Sequence, residues 1–172
     1  MDEKNTTNSI RIGTVNDIQL ILQFRRSMFE EIGVEESLFI ENVQEILLDL
    51  YMKELKADRI RHFIAYDVND RPIAVMGSLM KTDFPYYLFK PGFYGWIIDA
   101  YTVKEYRGQG LATKLLELNS EWLKEKGAQE IKLIASGNEA RRVYEKFGFK
   151  ATWEMSLNLS KVKTFNEIIE QR

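Results

Sequence analysis

The sequence predicts a mixed α/β fold (α+β with a mixed sheet), with antiparallel pairing in its first half and a strand–helix–strand crossover in its second. Three observations predict it: two amphipathic helical segments come early with no strand between them, a strand–turn–strand pattern follows, and strands then alternate with helices. The resulting order, β-α-α-β-β-β-α-β-α-β, excludes a simple doubly wound sheet, in which strands and helices alternate throughout.

Ser9 to Ile12 reads as a short strand. Thr14 follows with Asp17 three residues on, a capping-box spacing at the start of a helix. Ile18, Ile21, Leu22, Met28, Phe29 and Ile32 then recur at helical spacing, so one apolar stripe faces a core until Gly33 breaks it. Phe39, Val43, Ile46, Leu47, Leu50, Tyr51 and Leu55 predict a second helix. His62 to Val68 and Ile73 to Met80 are compact apolar strands joined by Asn69-Asp70-Arg71-Pro72, which is turn chemistry, so they pair as an antiparallel hairpin. Phe84 to Trp96 concentrates seven aromatic residues, and Ile97 to Val103 continues as a strand. Leu111, Leu115, Leu118, Trp122 and Leu123 mark a third helix ended by Gly127. Glu130 to Ala135 is a strand, Glu139 to Phe147 a short helix, and Phe149 to Leu159 one or two closing strands, with a polar tail after them.

The 172 residues are the length of one domain, read as 1–172 with a core over about 9–159 and a tail over 160–172. A 45% hydrophobic and 29% charged composition is that of a globular protein, and no apolar run approaches the roughly 18 residues of a membrane span. Residues 1–8 are polar and include Asp2 and Glu3, unlike a secretory signal. Without cysteine there is neither a disulfide framework nor a thiolate site, and a cytoplasmic address with no membrane partner is expected. The net charge of −2 comes from 24 basic and 26 acidic residues, interspersed, which argues against a nucleic-acid partner. His62 is the sole histidine and reads as a strand-end residue; with no second one, the common zinc sites are excluded and no metal is expected.

The chemistry concentrates between Trp96 and Thr113, where a strand enters a glycine-rich turn that opens onto an amphipathic helix. Gly108 and Gly110 let backbone approach a ligand closely. The N–H groups of a first helical turn lack internal partners and carry partial positive charge, so residues 107–113 are a predicted phosphate site. A nucleotide P-loop is excluded because no Gly-Lys-Ser/Thr is present. A dinucleotide fingerprint is disfavoured because Thr113 stands in its third small-residue place. The pattern R/Q-x-x-G-x-G/A is filled by Arg107, Gly110 and Ala112.

At these residues the sequence resembles the GNAT superfamily of N-acetyltransferases. Ala100-Tyr-Thr-x-x-Glu-Tyr-Arg107 resembles that family's entry into the loop, and Asn138 with Val143-Tyr144-Glu-Lys-Phe-Gly148-Phe149 resembles its second motif, the interval from Asn138 to Tyr144 being one residue short of many members. The resemblance covers most of the chain and implies a GNAT acyl-CoA N-acyltransferase fold with a splayed central sheet and acetyl-CoA as cosubstrate. It implies that Arg107, Gly108, Gln109, Gly110, Leu111, Ala112 and Thr113 hold the pyrophosphate of coenzyme A, that the backbone of Ala100, Tyr101 and Thr102 pairs with the pantetheine arm, and that Asn138 lies at the same cofactor. Asn138 as a plain helix N-cap is an equal reading, and Arg141-Arg142 read as solvated surface charge.

Acetyl transfer by direct amine attack through a tetrahedral intermediate poses two proton problems. An amine with a pKa near 10 is about one-thousandth nucleophilic at pH 7, a cost of about 4 kcal/mol, and the departing thiolate leaves better protonated. Tyr144 carries its proton at neutral pH and the resemblance assigns it that donation. Asp99 is the candidate base: alternation could point it at the acceptor, and burial could raise its pKa. Glu30, Asp83 and a water chain are its rivals, and a structural hydrogen-bonding role is as well supported. Phe84, Tyr86, Tyr87, Phe93 and Tyr94 form the candidate acceptor wall, suited to an amphipathic amine held by cation–π contact; core packing or a homodimer surface is the alternative use. The expected substrate is a small primary amine. A catalytically silent coenzyme A sensor, acetylation of a protein or peptide amine, and a nucleotide-dependent oxidoreductase are the alternatives.

Overall fold

The computed structural model describes residues 7–35, 41–84 and 91–156, with side chains from residue 9. Its elements are β1 (Thr7–Ile12), α1 (Ile18–Glu31), α2 (Val43–Lys56), β2 (Ile60–Asp67), β3 (Pro72–Thr82), β4 (Phe93–Thr102), α3 (Leu111–Glu125), β5 (Ile131–Lys132) and α4 (Asn138–Phe147). They form a mixed sheet in the order β1-β2-β3-β4-β5, antiparallel up to β4 and parallel between β4 and β5.

Two apolar cores follow from the helical stripes. Ile18, Ile21, Leu22 and Phe24 of α1 and Tyr51 of α2 pack on Ile60, Ile64 and Val75 at one sheet face. Leu111, Leu115, Leu116, Trp122 and Leu123 of α3, with Tyr144 of α4, pack on Phe63, Ala65, Ala74 and Ile97 at the other. β2 and β3 are therefore covered on both faces, which is why they read as continuous apolar runs rather than as alternation. Before α1, the Asp17 carboxylate accepts hydrogen bonds from the Thr14 backbone N–H and hydroxyl, both at 2.7 Å, and a 3-10 turn (Val15–Asp17) leads into the helix.

Most strand ends shift by one or two residues from the sequence reading, and four elements depart further or for an identifiable reason. α2 begins at Val43, after Asn42 in a left-handed conformation, and Phe39 lies outside the described residues. β4 starts at Phe93 rather than Ile97, because β3 offers pairing partners as far as Thr82. β5 shortens to two residues, since β4 pairs with it only through Gly95 and Trp96. No strand is assigned over 149–156, which has no pairing partner among the described residues and where Trp153 and Met155 are exposed; residues 157–172, with the rest of the expected closing strand and the tail, lie outside the described residues.

The feature that makes room for a site is a β-bulge in β4. Val75 pairs with Tyr101 and Gly77 with Ile98, so Met76 alone faces two β4 residues, Asp99 and Ala100. Asp99 takes up the extra residue with φ +53°, a left-handed conformation that aspartate tolerates better than most side chains. Asn119 of α3, fully buried, donates to the Met76 carbonyl at 3.2 Å and accepts from the Ser78 hydroxyl at 2.6 Å, satisfying polar groups beside this irregularity.

Candidate active site

Beyond the bulge β4 and the chain after β5 diverge, and a cavity of about 740 Å³ lies between them. Its walls are Ala100, Tyr101 and Thr102 on one side and residues 136–140 with Val143 and Tyr144 on the other. The start of α3 closes one end, and Met28, Glu31 and Ile32 of α1 line it too. Gly110, with φ +77°, is the residue before the first helical turn, and Lys114 N–H makes the first helical bond back to its carbonyl. The N–H groups of Leu111, Ala112 and Thr113 therefore have no acceptor within the helix, and all three residues line the cavity. Gly108 has the same φ, and a Cβ at either glycine would meet open space, so it is the backbone conformation that demands glycine there. These amides, the helix dipole and the cavity beside them fit a pyrophosphate.

Arg107 is held by the protein itself. Its guanidinium makes a bidentate pair with Glu31 of α1, both bonds 2.6 Å, and its Nε donates to the Thr102 carbonyl at 2.9 Å. The side chain thus fastens the loop to α1 and to the end of β4. Glu31 sits below the ordinary carboxylate range because of that hydrogen bond. Gln109 is in the loop but is not among the cavity-lining residues. Asn138 lines the cavity as the first residue of α4, Gly137 being the N-cap position, so the plain N-cap reading of Asn138 does not hold. Arg141 pairs with Glu145 on the exposed face of α4.

Tyr144 is 8% exposed, and its ring packs edge-on against Phe149 at 5.8 Å between centroids. Burial raises its pKa above the usual phenol value, so the hydroxyl keeps its proton across the neutral range. It lines the same cavity as the α3 amides.

Asp99 departs from the expectation that burial raises its pKa. Its side chain is fully buried, and burial alone would indeed raise it, but His62, Arg25 and Tyr51 outweigh that and hold it below the usual range. Oδ1 accepts from Arg25 Nη1 at 2.5 Å; Oδ2 meets His62 Nε2 at 2.8 Å and accepts from the Tyr51 hydroxyl. A carboxylate with these partners and no exposure is a poor proton acceptor, which removes the basis for reading it as the base. His62, read as a strand-end residue, is instead a 4% exposed member of this cluster. The sequence signals were faint: one histidine within an apolar strand, and an aspartate where the strand bulges.

Of the acceptor candidates, Tyr86 and Tyr87 lie outside the described residues, and Phe84 is 86% exposed and lines no part of the cavity. Phe93 and Tyr94 begin β4. Lys132 Nζ stands 4.9 Å from the Tyr94 ring centroid and Lys81 Nζ 3.7 Å from that of Trp96, so the protein's own cations already engage these rings. The described residues contain no group of three or more His, Cys, Asp or Glu arranged to hold a metal ion, and no helix long and apolar enough to cross a membrane.

The helix start with unpaired amides at one end of the cleft and the buried tyrosine in its wall can now be set beside known proteins. The family model for the acetyltransferase (GNAT) family matches residues 22–149. This chain belongs to the GNAT acetyltransferase family. A crystal structure of a predicted acetyltransferase with acetyl-CoA from Clostridium acetobutylicum is similar to this GNAT chain at 28% identity, with a TM-score of 0.82 over 89% of this chain and 97% of that one. Aminoglycoside N-acetyltransferase AAC(6')-Iy in complex with CoA shares the GNAT fold at 16% identity and a TM-score of 0.67, over 92% of this chain and 97% of that one. N-alpha-acetyltransferase 30 of Schizosaccharomyces pombe is 49% identical over 57 residues, which are 32% of the GNAT chain and 38% of that protein.

Proposed function

We propose that this GNAT acetyltransferase moves the acetyl group of acetyl-CoA to a primary amine of a small molecule. The observation that carries the proposal is the shared cavity: the first residues of α3, with their free amides, and the buried Tyr144 line one space, bounded by the diverging edge of β4. In this reading residues 108–113 receive the pyrophosphate, with Arg107 fixing the loop through Glu31 and Thr102. Ala100 to Thr102 run along the pantetheine arm, and Asn138 lies near it. The neutral amine attacks the thioester carbonyl, and as the tetrahedral intermediate collapses Tyr144 donates its proton to the departing thiolate. The incoming amine loses its proton to water in the cleft, since Asp99 is sealed from it.

A small acceptor is favoured because acidic and basic residues are interspersed along the sequence, with charges pairing locally as in Arg11–Asp70 and Arg26–Glu30, rather than gathered into a run of one sign suited to docking a charged chain. A second reading, acetylation of a peptide α-amine, rests on the 57-residue likeness to an N-alpha-acetyltransferase. A cytoplasmic location is part of the proposal and rests on the cysteine-free composition.

Thiol release from acetyl-CoA, measured against polyamines, aminoglycosides, amino acids and short peptides, tests both readings. Release that depends on a small amine supports the first and release that depends on peptides the second. Acetyl-CoA binding without release from any acceptor would favour a coenzyme A-binding module, and absence of binding would defeat the proposal.

A further inference from the structure

The most demanding arrangement in the protein lies outside the cavity. Asp99 is fully buried, carries a charge, and has the left-handed backbone of the β4 bulge. Its carboxylate draws on three elements at once: Arg25 from α1, Tyr51 from α2 and His62 from β2. The Tyr51 and His62 rings stack at 5.3 Å between centroids. Gly77 of β3 makes the space, since a Cβ there would stand 2.3 Å from His62 Nε2. Burial and the neighbouring Asp99 push the Tyr51 phenol well above its ordinary range, so it remains a donor. Burying an ion pair is seldom a net gain over apolar packing, and its better-supported use is to impose one specific geometry.

The position of the cluster says which geometry is imposed. Ala100, the next residue after Asp99, lines the cavity, and Met28, one helical turn after Arg25, lines it from α1. Asp99 and Arg25 are not among the lining residues, so the cluster acts through its neighbours. Further along, Glu31 of α1 grips Arg107. Helix α1 is therefore tied to β4 at the bulge and to the loop beyond β4 at its own C-terminal end.

We propose that Arg25, Asp99, Tyr51 and His62 are positioning residues that pin the β4 bulge to α1, α2 and β2, and thereby set where the strand edge from Ala100 to Thr102 presents the acyl end of the donor. The inference rests on acetyl-CoA occupying the cavity. Displacement of a reacting group by about 1 Å costs up to about a hundredfold in rate, whereas the phosphate end is held separately by α3. Loss of the cluster thus lowers turnover more than donor affinity.

The test compares the wild-type protein with Arg25→Met, Arg25→Lys and Asp99→Asn. Acceptor-dependent CoA release gives kcat, calorimetry gives the acetyl-CoA Kd, and amide hydrogen exchange follows residues 97–102 against the β2–β3 pair. Arg25→Met and Asp99→Asn are expected to lower kcat by about tenfold or more, to change Kd by less than about threefold, and to speed exchange in β4 selectively. Arg25→Lys restores part of kcat. Arg25 has 27% of its side chain exposed, so its variants keep the test open if Asp99→Asn does not fold. A kcat within about twofold of wild type in Arg25→Met, or equal losses in kcat and Kd, overturns the proposal. If the wild-type protein binds acetyl-CoA but acetylates no acceptor, the reading of function fails, and exchange alone then decides the anchor: unchanged β4 exchange in Arg25→Met refutes it.

Discussion

At the scale of single residues, the titratable groups in and behind the cleft divide between a lining group that keeps its proton and a buried group outside the cavity that takes none up at neutral pH. Tyr144 is the first, its pKa raised by burial, and Asp99 is the second. Tyr144→Phe removes the hydroxyl with little change of shape, so kcat should fall by about 10²-fold or more while the acetyl-CoA Kd stays within about threefold; steady-state kinetics and calorimetry separate the two. Because the Tyr144 pKa is shifted upward, its proton is present at all pH values below the ordinary phenol value, and a fall in kcat caused by its ionisation begins only above about pH 10. A fall of kcat at neutral pH that vanishes in Tyr144→Phe would show the opposite shift. For Arg107, the bidentate pair with Glu31 implies that Glu31→Gln, which removes one charge of that pair, loosens the same loop. Calorimetry should show weaker acetyl-CoA binding in Glu31→Gln and more so in Arg107→Ala. That Tyr144 and Arg107 lie at one cavity was legible in the sequence because their spacing to glycines is local. Arg25, Tyr51 and His62 were not, because they meet Asp99 only through folding across 74, 48 and 37 residues of chain.

At the scale of elements, helical periodicity carried the most information and pairing the least. The stripes of α1 and α3 identified Ile18, Ile21, Leu22, Leu111, Leu115, Trp122 and Leu123 as buried, because a helix face follows from sequence spacing, but they passed over the buried Phe24, Leu116 and Asn119 and included Ile32, which is exposed. Strand ends were less legible: β4 extends to Phe93 and β5 contracts to two residues according to what the neighbouring strand offers, which no single segment encodes. The bulge in β4 is likewise a property of two strands. The turn into α3 was legible, since Gly108 and Gly110 stand where left-handed backbone is required. Gly110→Ala should therefore cost about 1–2 kcal/mol in stability and also weaken acetyl-CoA binding. Gly127, with φ +87° at the other end of α3, is the control. Gly127→Ala should cost similar stability and leave the acetyl-CoA Kd unchanged. Urea unfolding and calorimetry on both variants distinguish a ligand-binding turn from a merely strained one.

At the scale of the whole molecule, the loop before α3 is tied to a buried carboxylate far from it in sequence. Asp67, at the end of β2, is 2% exposed and accepts hydrogen bonds from the N–H groups of Asn69 and Arg71, from Arg71 Nε at 2.8 Å and from the Tyr106 hydroxyl at 2.9 Å. Tyr106 immediately precedes Arg107, so Asp67 links the β2–β3 turn to the loop at the start of α3. Burial alone would raise the Asp67 pKa, but the bonds from Arg71, Tyr106 and Asn69 outweigh it and leave the group well below the usual carboxylate range. An unfolded aspartate titrates near 3.9, so the folded protein holds the ionised form where the unfolded chain would take up a proton. The stabilisation is fully present above about pH 4 and is lost as pH falls through the folded pKa. Asp99, shifted in the same direction, adds to the same acid limb. Asp67→Asn should accordingly lower the urea midpoint at pH 7 and narrow the gap to wild type at pH 3, where proton uptake by the unfolded wild-type chain begins to cancel a stabilisation that the variant lacks at every pH. At pH 7 it should also weaken acetyl-CoA binding, because the loop loses its tie through Tyr106. A gap in urea midpoint that is the same at both pH values would mean that Asp67 contributes through shape rather than charge, and an unchanged Kd would separate the turn from the loop.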